Sequence, residues 1–217
     1  GLDSHADLWA SHVEGMGLSG IRFRVHHNGD ILHVRVPLLG RHSVHTALRA
    51  AAVGLTEGLT WQEILEGLQA QDGQAQLRLY AVPGPRDSII LDDTYNASPE
   101  STVAALNLLD DLEAPRRVAV LGDMLELGSF EQQGHRAVGT RACDVADVLI
   151  TIGDLAETIA DGARAAGMKE SEITRCRDGE EALTILKKEM NAGDVVLVKG
   201  SRGMRLDRLV NALETER

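Results

Sequence analysis

Leu91-Asp92-Asp93-Thr94-Tyr95-Asn96-Ala97-Ser98-Pro99-Glu100-Ser101 is the stretch whose reading decides the fold. The run that leads into it, Ile89-Ile90-Leu91, is apolar without alternation, as in a strand buried on both faces. At its far end Ser98-Pro99 predicts an N-cap followed by proline at the first helical position. Two carboxylates, an aromatic and an amide lie between. Polar groups at the carboxyl end of a strand, just ahead of a helix, are where open α/β sheets bind ligands. The arrangement recurs at Leu121-Gly122-Asp123-Met124 and at Val198-Lys199-Gly200-Ser201-Arg202, so three strand ends are expected to converge on one crevice.

Downstream of Leu77 the same grammar repeats. Apolar runs predict strands over 88–92, 117–121, 148–152, 173–176 and 194–198, with helices over 99–112, 130–142, 155–166, 179–190 and 205–214. Ser129 with Gln132, Asp154 with Glu157 and Asp178 with Glu181 have capping-box spacing. Crossovers of helical length imply parallel strands joined by right-handed connections. The expected fold class is α/β, with a Rossmann-like domain of mostly parallel sheet over 77–217. Residues 1–76 differ in texture. Ile21, Phe23 and Val25, then Ile31, Val34 and Val36, alternate around Asn28-Gly29-Asp30 and predict an antiparallel hairpin. An Ala-rich helix from about 44 to 54 follows, Thr60 with Glu63 opens a second helix to about 69, and 71–76 reads as a polar linker.

Composition sets limits. The chain has 217 residues, 43% hydrophobic and 25% charged, ordinary for a globular protein; aromatics are only 3%, so the core must be aliphatic. A formal net charge of -11 argues against non-specific nucleic-acid binding, yet leaves room for a nucleotide held by a local cradle. Cys143 and Cys176 have no metal or redox spacing, which fits a reduced, cytoplasmic protein. No run approaches the ~20 apolar residues of a membrane span.

Each polar cluster has a bland reading and a chemical one. Asp92 and Asp93 are either a solvated carboxylate plus a turn cap or ligands for a metal or a ribose hydroxyl; alternation should send them to opposite sides. Tyr95, Asn96 and Ser98 stand at a helix N-terminus, whose free N–H groups suit a carboxylate or phosphate. Lys199 and Arg202 bracket Gly200-Ser201 as a cation pair suited to an anion, or as a surface loop. The order Lys-Gly-Ser is not that of a P-loop, and neither G-x-x-x-x-G-K-[ST] nor a G-x-G-x-x-G after a strand occurs. His42 and His45 share a helix face without an evident third ligand, so no metal site is expected.

Five segments in register closely resemble the Mur ligase family, and within it the branch that adds D-Ala-D-Ala. They are Gly40-Arg41-His42 with its Ala-rich helix, 92–99, 121–128, His135 with Val138-Gly139, and 199–202. The family has a UDP-binding N-terminal domain, a central ATPase domain and a C-terminal Rossmann-like domain. The resemblance implies that 77–217 is the third domain and 1–76 the last part of the second. It implies that the nucleotide loop and magnesium ligands lie in upstream segments of a longer protein, so that this chain is inactive alone and holds no cofactor tightly. The implied reaction joins D-Ala-D-Ala to UDP-MurNAc-tripeptide through an acyl phosphate, with ATP and Mg2+, in peptidoglycan synthesis.

Carried over by motif, Arg78 and Asp93 belong to ATP binding, at the phosphates and the ribose. Tyr95, Asn96, Ser98, Lys199, Ser201 and Arg202 belong to substrate binding. Two positions depart from the family pattern. Ser43 and Thr46 stand where it has Asn-x-x-Asn near the adenine, and Ser98 stands where it often has Asn. Two other readings compete: a sister ligase taking another amino acid, and a phosphoacceptor receiver-like signalling domain with Asp154 as its acceptor.

Overall fold

The computed structural model describes residues 1–70 and 79–215, which form two compact units, Gly1–Gln76 and Leu77–Arg217. The 71–76 linker and Arg78 lie outside the described residues.

The first unit is a sheet of β1 (Leu8–Gly15), β2 (Ile21–His27) and β3 (Asp30–Val36) with helices α1 (Val44–Thr56) and α2 (Trp61–Gln69). The predicted hairpin is present: β2 and β3 pair antiparallel from Ile21↔Val36 to His27↔Asp30. Asn28 (φ 50) and Gly29 (φ 88) make the two-residue turn, whose left-handed backbone matches strand twist. The alternating residues Ile21, Phe23, Val25, Val34 and Val36 are buried together with Ala47, Leu48 and Ala51 of α1 and Ile64 and Leu68 of α2. The reciprocal cap of Thr60 and Glu63 is formed. The hairpin is, however, part of a three-stranded sheet, because β1 pairs with β2. A bulge hid β1 from a period-two reading: the register shifts between Ser11 and Glu14, with His12 at φ 51.

The second unit is a six-stranded sheet in the order β4-β5-β9-β6-β7-β8. The strands are β4 (Tyr80–Pro83), β5 (Ile89–Asp93), β6 (Arg117–Gly122), β7 (Val148–Ile152), β8 (Ile173–Cys176) and β9 (Val195–Lys199). The helices are α3 (Pro99–Asp111), α4 (Glu131–Val145), α5 (Glu157–Ala166), α6 (Gly179–Glu189) and α7 (Asp207–Glu214). All pairings are parallel except β4 with β5, an edge strand the apolar pattern had not revealed. Helices α3, α4 and α5 pack in a row, and α6 packs on α7. Ile90, Val118, Val120, Ile150, Ile152, Val196 and Val198 share one core with Ala182, Leu186, Leu209, Val210 and Leu213 of α6 and α7. By alternation the intervening residues Leu91, Ala119, Leu121, Leu149 and Leu197 face the other way, and all are buried. Strands β5, β6, β7 and β9 therefore serve two helix layers, which is why their sequences are largely apolar.

Helices α4 and α5 approach closely: a Cβ on Gly139 would lie 2.0 Å from the Ile159 carbonyl oxygen. Of the predicted caps, Asp178 accepts from the N–H groups of Glu180 and Glu181. The other two are corrected. α4 leaves a 3-10 turn at Gly128–Phe130 with no side-chain cap, and α5 has none from Asp154. Its N-terminus is held instead by Asp123, whose Oδ1 accepts the Ala156 N–H at 2.7 Å.

Candidate functional site

The sheet order sets β5, β9 and β6 side by side, so the three polar strand ends meet at one carboxyl edge, as their sequences suggested. Asp93 pairs in register with Lys199, and Lys199 with Leu121. Backbones run close here. A Cβ on Gly122 would stand 3.5 Å from the Gly200 Cα and 3.0 Å from Leu206 Cδ1, so larger residues at the two glycines would part the strand ends.

The two aspartates do different jobs. Asp92 Oδ2 accepts the Tyr80 hydroxyl at 2.7 Å, and its Oδ1 accepts the Thr94 N–H and hydroxyl at 3.0 and 2.7 Å. It ties the edge strand to β5 and closes the turn after it. The hydrogen bond to Asp92, followed by burial, pushes the Tyr80 phenol up to about 12. Asp93 lies on the opposite side, 8% exposed, and its Oδ2 takes a charge-assisted bond of 2.7 Å from Lys199 Nζ. The same ammonium donates to the Asn96 carbonyl oxygen at 2.8 Å, and Lys199 is 2% exposed. Lys199 thus clamps the segment after β5 onto β9 from beneath.

Lys199 and Arg202 do not form a paired cationic grip. Lys199 is buried, whereas Arg202 is exposed with its guanidinium 5.4 Å from the Tyr95 ring centroid, within cation–π range. Tyr95 is itself 40% exposed. Ser98 caps α3: its Oγ accepts the Ser101 N–H at 3.3 Å, and Ser101 Oγ accepts the Ser98 N–H at 2.9 Å. Ser201 is buried; its Oγ accepts the Leu125 N–H at 2.8 Å, and its own N–H donates to the Asp123 carbonyl at 2.9 Å.

Two residues that the sequence motifs contained, without a role assigned to either, belong to this framework. Asp123 reaches across to cap α5, and burial, only partly offset by the Ala156 N–H, raises its pKa. Gly153, at φ +102, lets the chain pass over that carboxylate; a Cβ there would sit 2.5 Å from it. His135, fully buried in α4, accepts the Met124 N–H on Nε2 at 3.0 Å. The available signal was a single polar residue on the helix face that carries Val138, Gly139 and Ala142 inward. Above this framework stand exposed Tyr95, Leu125 and Phe130. Among the described residues no group of three or more His, Cys, Asp or Glu side chains is placed to hold a metal ion. No described helix is long and apolar enough to cross a membrane.

Residues 77–202, more than half of the chain, match the family model "Mur ligase, glutamate ligase domain". The chain belongs to the Mur ligase family. It is 34% identical over 180 residues to the UDP-N-acetylmuramoyl-tripeptide–D-alanyl-D-alanine ligase of Bacillus subtilis, a match covering 82% of this chain and 39% of that protein. It is 32% identical over 231 residues to the ligase of the same name from Mycobacterium bovis, covering 97% of this chain and 45% of that one. The crystal structure of MurF from Acinetobacter baumannii superposes with a TM-score of 0.83 at 27% identity, covering 98% of this chain and 46% of that chain. The chain thus spans less than half the length of these relatives. Sheet topology also speaks against a receiver domain, in which the last strand lies at the sheet edge. Here the last strand, β9, lies between β5 and β6.

Proposed function

We propose that the intact protein is an ATP-dependent ligase that joins D-Ala-D-Ala to UDP-MurNAc-tripeptide in peptidoglycan synthesis, in the cytoplasm. On this reading residues 77–217 are the C-terminal domain that presents the acceptor dipeptide, and residues 1–76 the end of the central ATPase domain. The observation that carries it is the meeting of segments 93–98, 122–125 and 199–202 at one sheet edge, in a chain related to ligases with this name.

The chemistry fits an acceptor-binding role. An amine attacking an acyl phosphate needs orientation and exclusion of water more than a dedicated acid or base within this domain. Tyr95 and Arg202 offer an aromatic face and a cation at the rim, suited to the carboxylate of a dipeptide. The reciprocal cap of Ser98 and Ser101 fixes where the chain enters α3 just after them. Asp93 and Lys199 act beneath as the clamp that holds Tyr95 and Asn96 in place.

The fit to the nucleotide is narrower. Asp93 is the one carried-over ATP group among the described residues, and its Oδ2 is engaged by Lys199. Among the described residues no group of three or more His, Cys, Asp or Glu side chains is placed to hold a metal ion, and the chain has no P-loop, so phosphate activation is assigned to other parts of the longer protein. Domain closure would bring the two together.

The deciding experiment measures phosphate release by the full-length gene product with ATP, UDP-MurNAc-tripeptide and D-Ala-D-Ala, beside this 217-residue chain. Release from the long form that requires all three substrates is the expected result. Release equally supported by a single amino acid would move the assignment to a sister ligase.

A further inference from the structure

We propose that His135 is a positioning residue of the acceptor cleft: a neutral imidazole of fixed tautomer that holds the loop after β6 and takes no part in proton transfer. The inference rests on the reading of that edge as the acceptor site.

The tautomer follows from its partners. Nδ1 lies 2.7 Å from the Glu131 carbonyl oxygen. A carbonyl only accepts, so Nδ1 carries the proton. Nε2 then has a lone pair, and the Met124 N–H donates to it at 3.0 Å. Both ring nitrogens are consumed inside the fold, and the side chain is fully buried. Nothing remains to deliver a proton to, or take one from, a ligand. A protonated ring would set an N–H against the Met124 N–H.

The loop is pinned residue by residue. The Asp123 carbonyl accepts from Ser201 N–H at 2.9 Å, the Met124 N–H goes to His135, and the Leu125 N–H goes to Ser201 Oγ at 2.8 Å. The Met124 sulfur also receives the Thr102 hydroxyl at 3.6 Å. Leu125 then leaves the framework with its side chain 38% exposed. A locked backbone carrying an outward side chain at a strand end is how a binding wall is preorganised. Misplacing such a wall by about 1 Å can cost on the order of 100-fold in rate. With both ring nitrogens engaged inside the fold, His135 bears on the backbone of the loop rather than on a ligand.

Two variants separate the roles. Glutamine carries an acceptor oxygen near the place of Nε2 but does not exchange a proton in this range, whereas leucine fills the space and accepts nothing. In the intact protein, His135→Leu is expected to raise the KM for D-Ala-D-Ala by about tenfold, the scale of one lost hydrogen bond, with a smaller change for the UDP-linked substrate. His135→Gln is expected to stay within about threefold of wild type. In this 217-residue chain, long-range proton–nitrogen NMR should show the proton on Nδ1 at neutral pH. His135→Gln should leave exchange of the Met124 amide slow, and His135→Leu should speed it ahead of the β6 and β9 amides.

A proton on Nε2, a charged ring at neutral pH, or a His135→Leu enzyme with unaltered acceptor KM overturns the proposal. Equal impairment of the glutamine and leucine forms also overturns it, because it would return proton transfer to the ring. If wild-type protein shows no acceptor-dependent phosphate release, the functional reading fails, while tautomer and exchange still decide whether His135 holds the loop.

Discussion

The two ends of the parallel sheet are both rich in charge, yet they spend it differently. At the amino end, arginines close helix C-termini. Arg86 donates to the Met190 and Lys187 carbonyls, Arg116 to that of Glu189, and Arg117 to those of Leu109 and Leu112. Arg116 also pairs through Nε and Nη2 with Asp194, which is 1% exposed. These cations donate to carbonyls at the C-terminal ends of α3 and α6. At the carboxyl end the bonds run between loops: Lys199 to Asp93 and Asn96, Ser201 to Leu125, His135 to Met124. One end finishes helices; the other fixes the relative positions of three connections and leaves Tyr95, Leu125, Phe130 and Arg202 exposed above them. Strand-end charge alone therefore does not mark a site. What marks it is charge that aligns loops beneath exposed groups.

The sharpest way to break this contrast is to change one residue at each end. Lys199→Ala leaves Asp93 buried without its ammonium and should cost about 3–5 kcal/mol, read by urea denaturation of this chain. In the intact enzyme it should also lower turnover per folded molecule; unchanged kinetics would make the carboxyl-end clamp as purely structural as the amino end. Arg116→Ala should cost somewhat less, about 2–3 kcal/mol, because the arginine is part-exposed while Asp194 is not. It should leave the acceptor KM of the folded enzyme alone. Ser201→Ala strands the Leu125 N–H and should cost about 1–2 kcal/mol while raising the acceptor KM.

Tyr80→Phe should have the smallest effect, about 0.5–1 kcal/mol, since the Tyr80 hydroxyl is part-exposed. Its pH dependence carries a sign. The phenol is raised to about 12 from an ordinary 10, so its contribution is full below about pH 10 and is lost as pH rises through about 12. Absorbance titration of the phenolate, wild type against Tyr80→Phe, should show one tyrosine missing from that high range. A Tyr80 that titrates near 10 would show that Asp92 does not hold β4 as described.

Legibility followed the same contrast. The carboxyl edge was readable because parallel strands announce themselves as unbroken apolar runs, and the polar residues that end them are adjacent in sequence. That β5, β9 and β6 are neighbours in the sheet was not local information, since a strand's neighbours depend on crossovers. Lys199 and Asp93 are 106 residues apart, so their pairing left no spacing to detect. The expected cationic grip of Lys199 and Arg202 failed for a simple reason: β9 alternation turns Lys199 toward α3, while Arg202 belongs to the following turn. Asp154 looked like the cap of α5 because it is local, but Asp123, just past the end of β6, accepts the Ala156 N–H instead. β1 was hidden by its bulge and β4 by its shortness.

The central position of β9 bears on how the molecule is made. Its neighbours β5 and β6 emerge from the ribosome long before it does, and each must wait with an unpaired edge. The gap between them can be filled only once residue 199 is free to turn back. That raises contact order and should make insertion of β9 a late, slow event. Nascent chains stalled before Val195 should be sticky and protease-sensitive. Formation of the Lys199–Asp93 bond would then mark the moment at which the acceptor edge and the completed sheet come into being together.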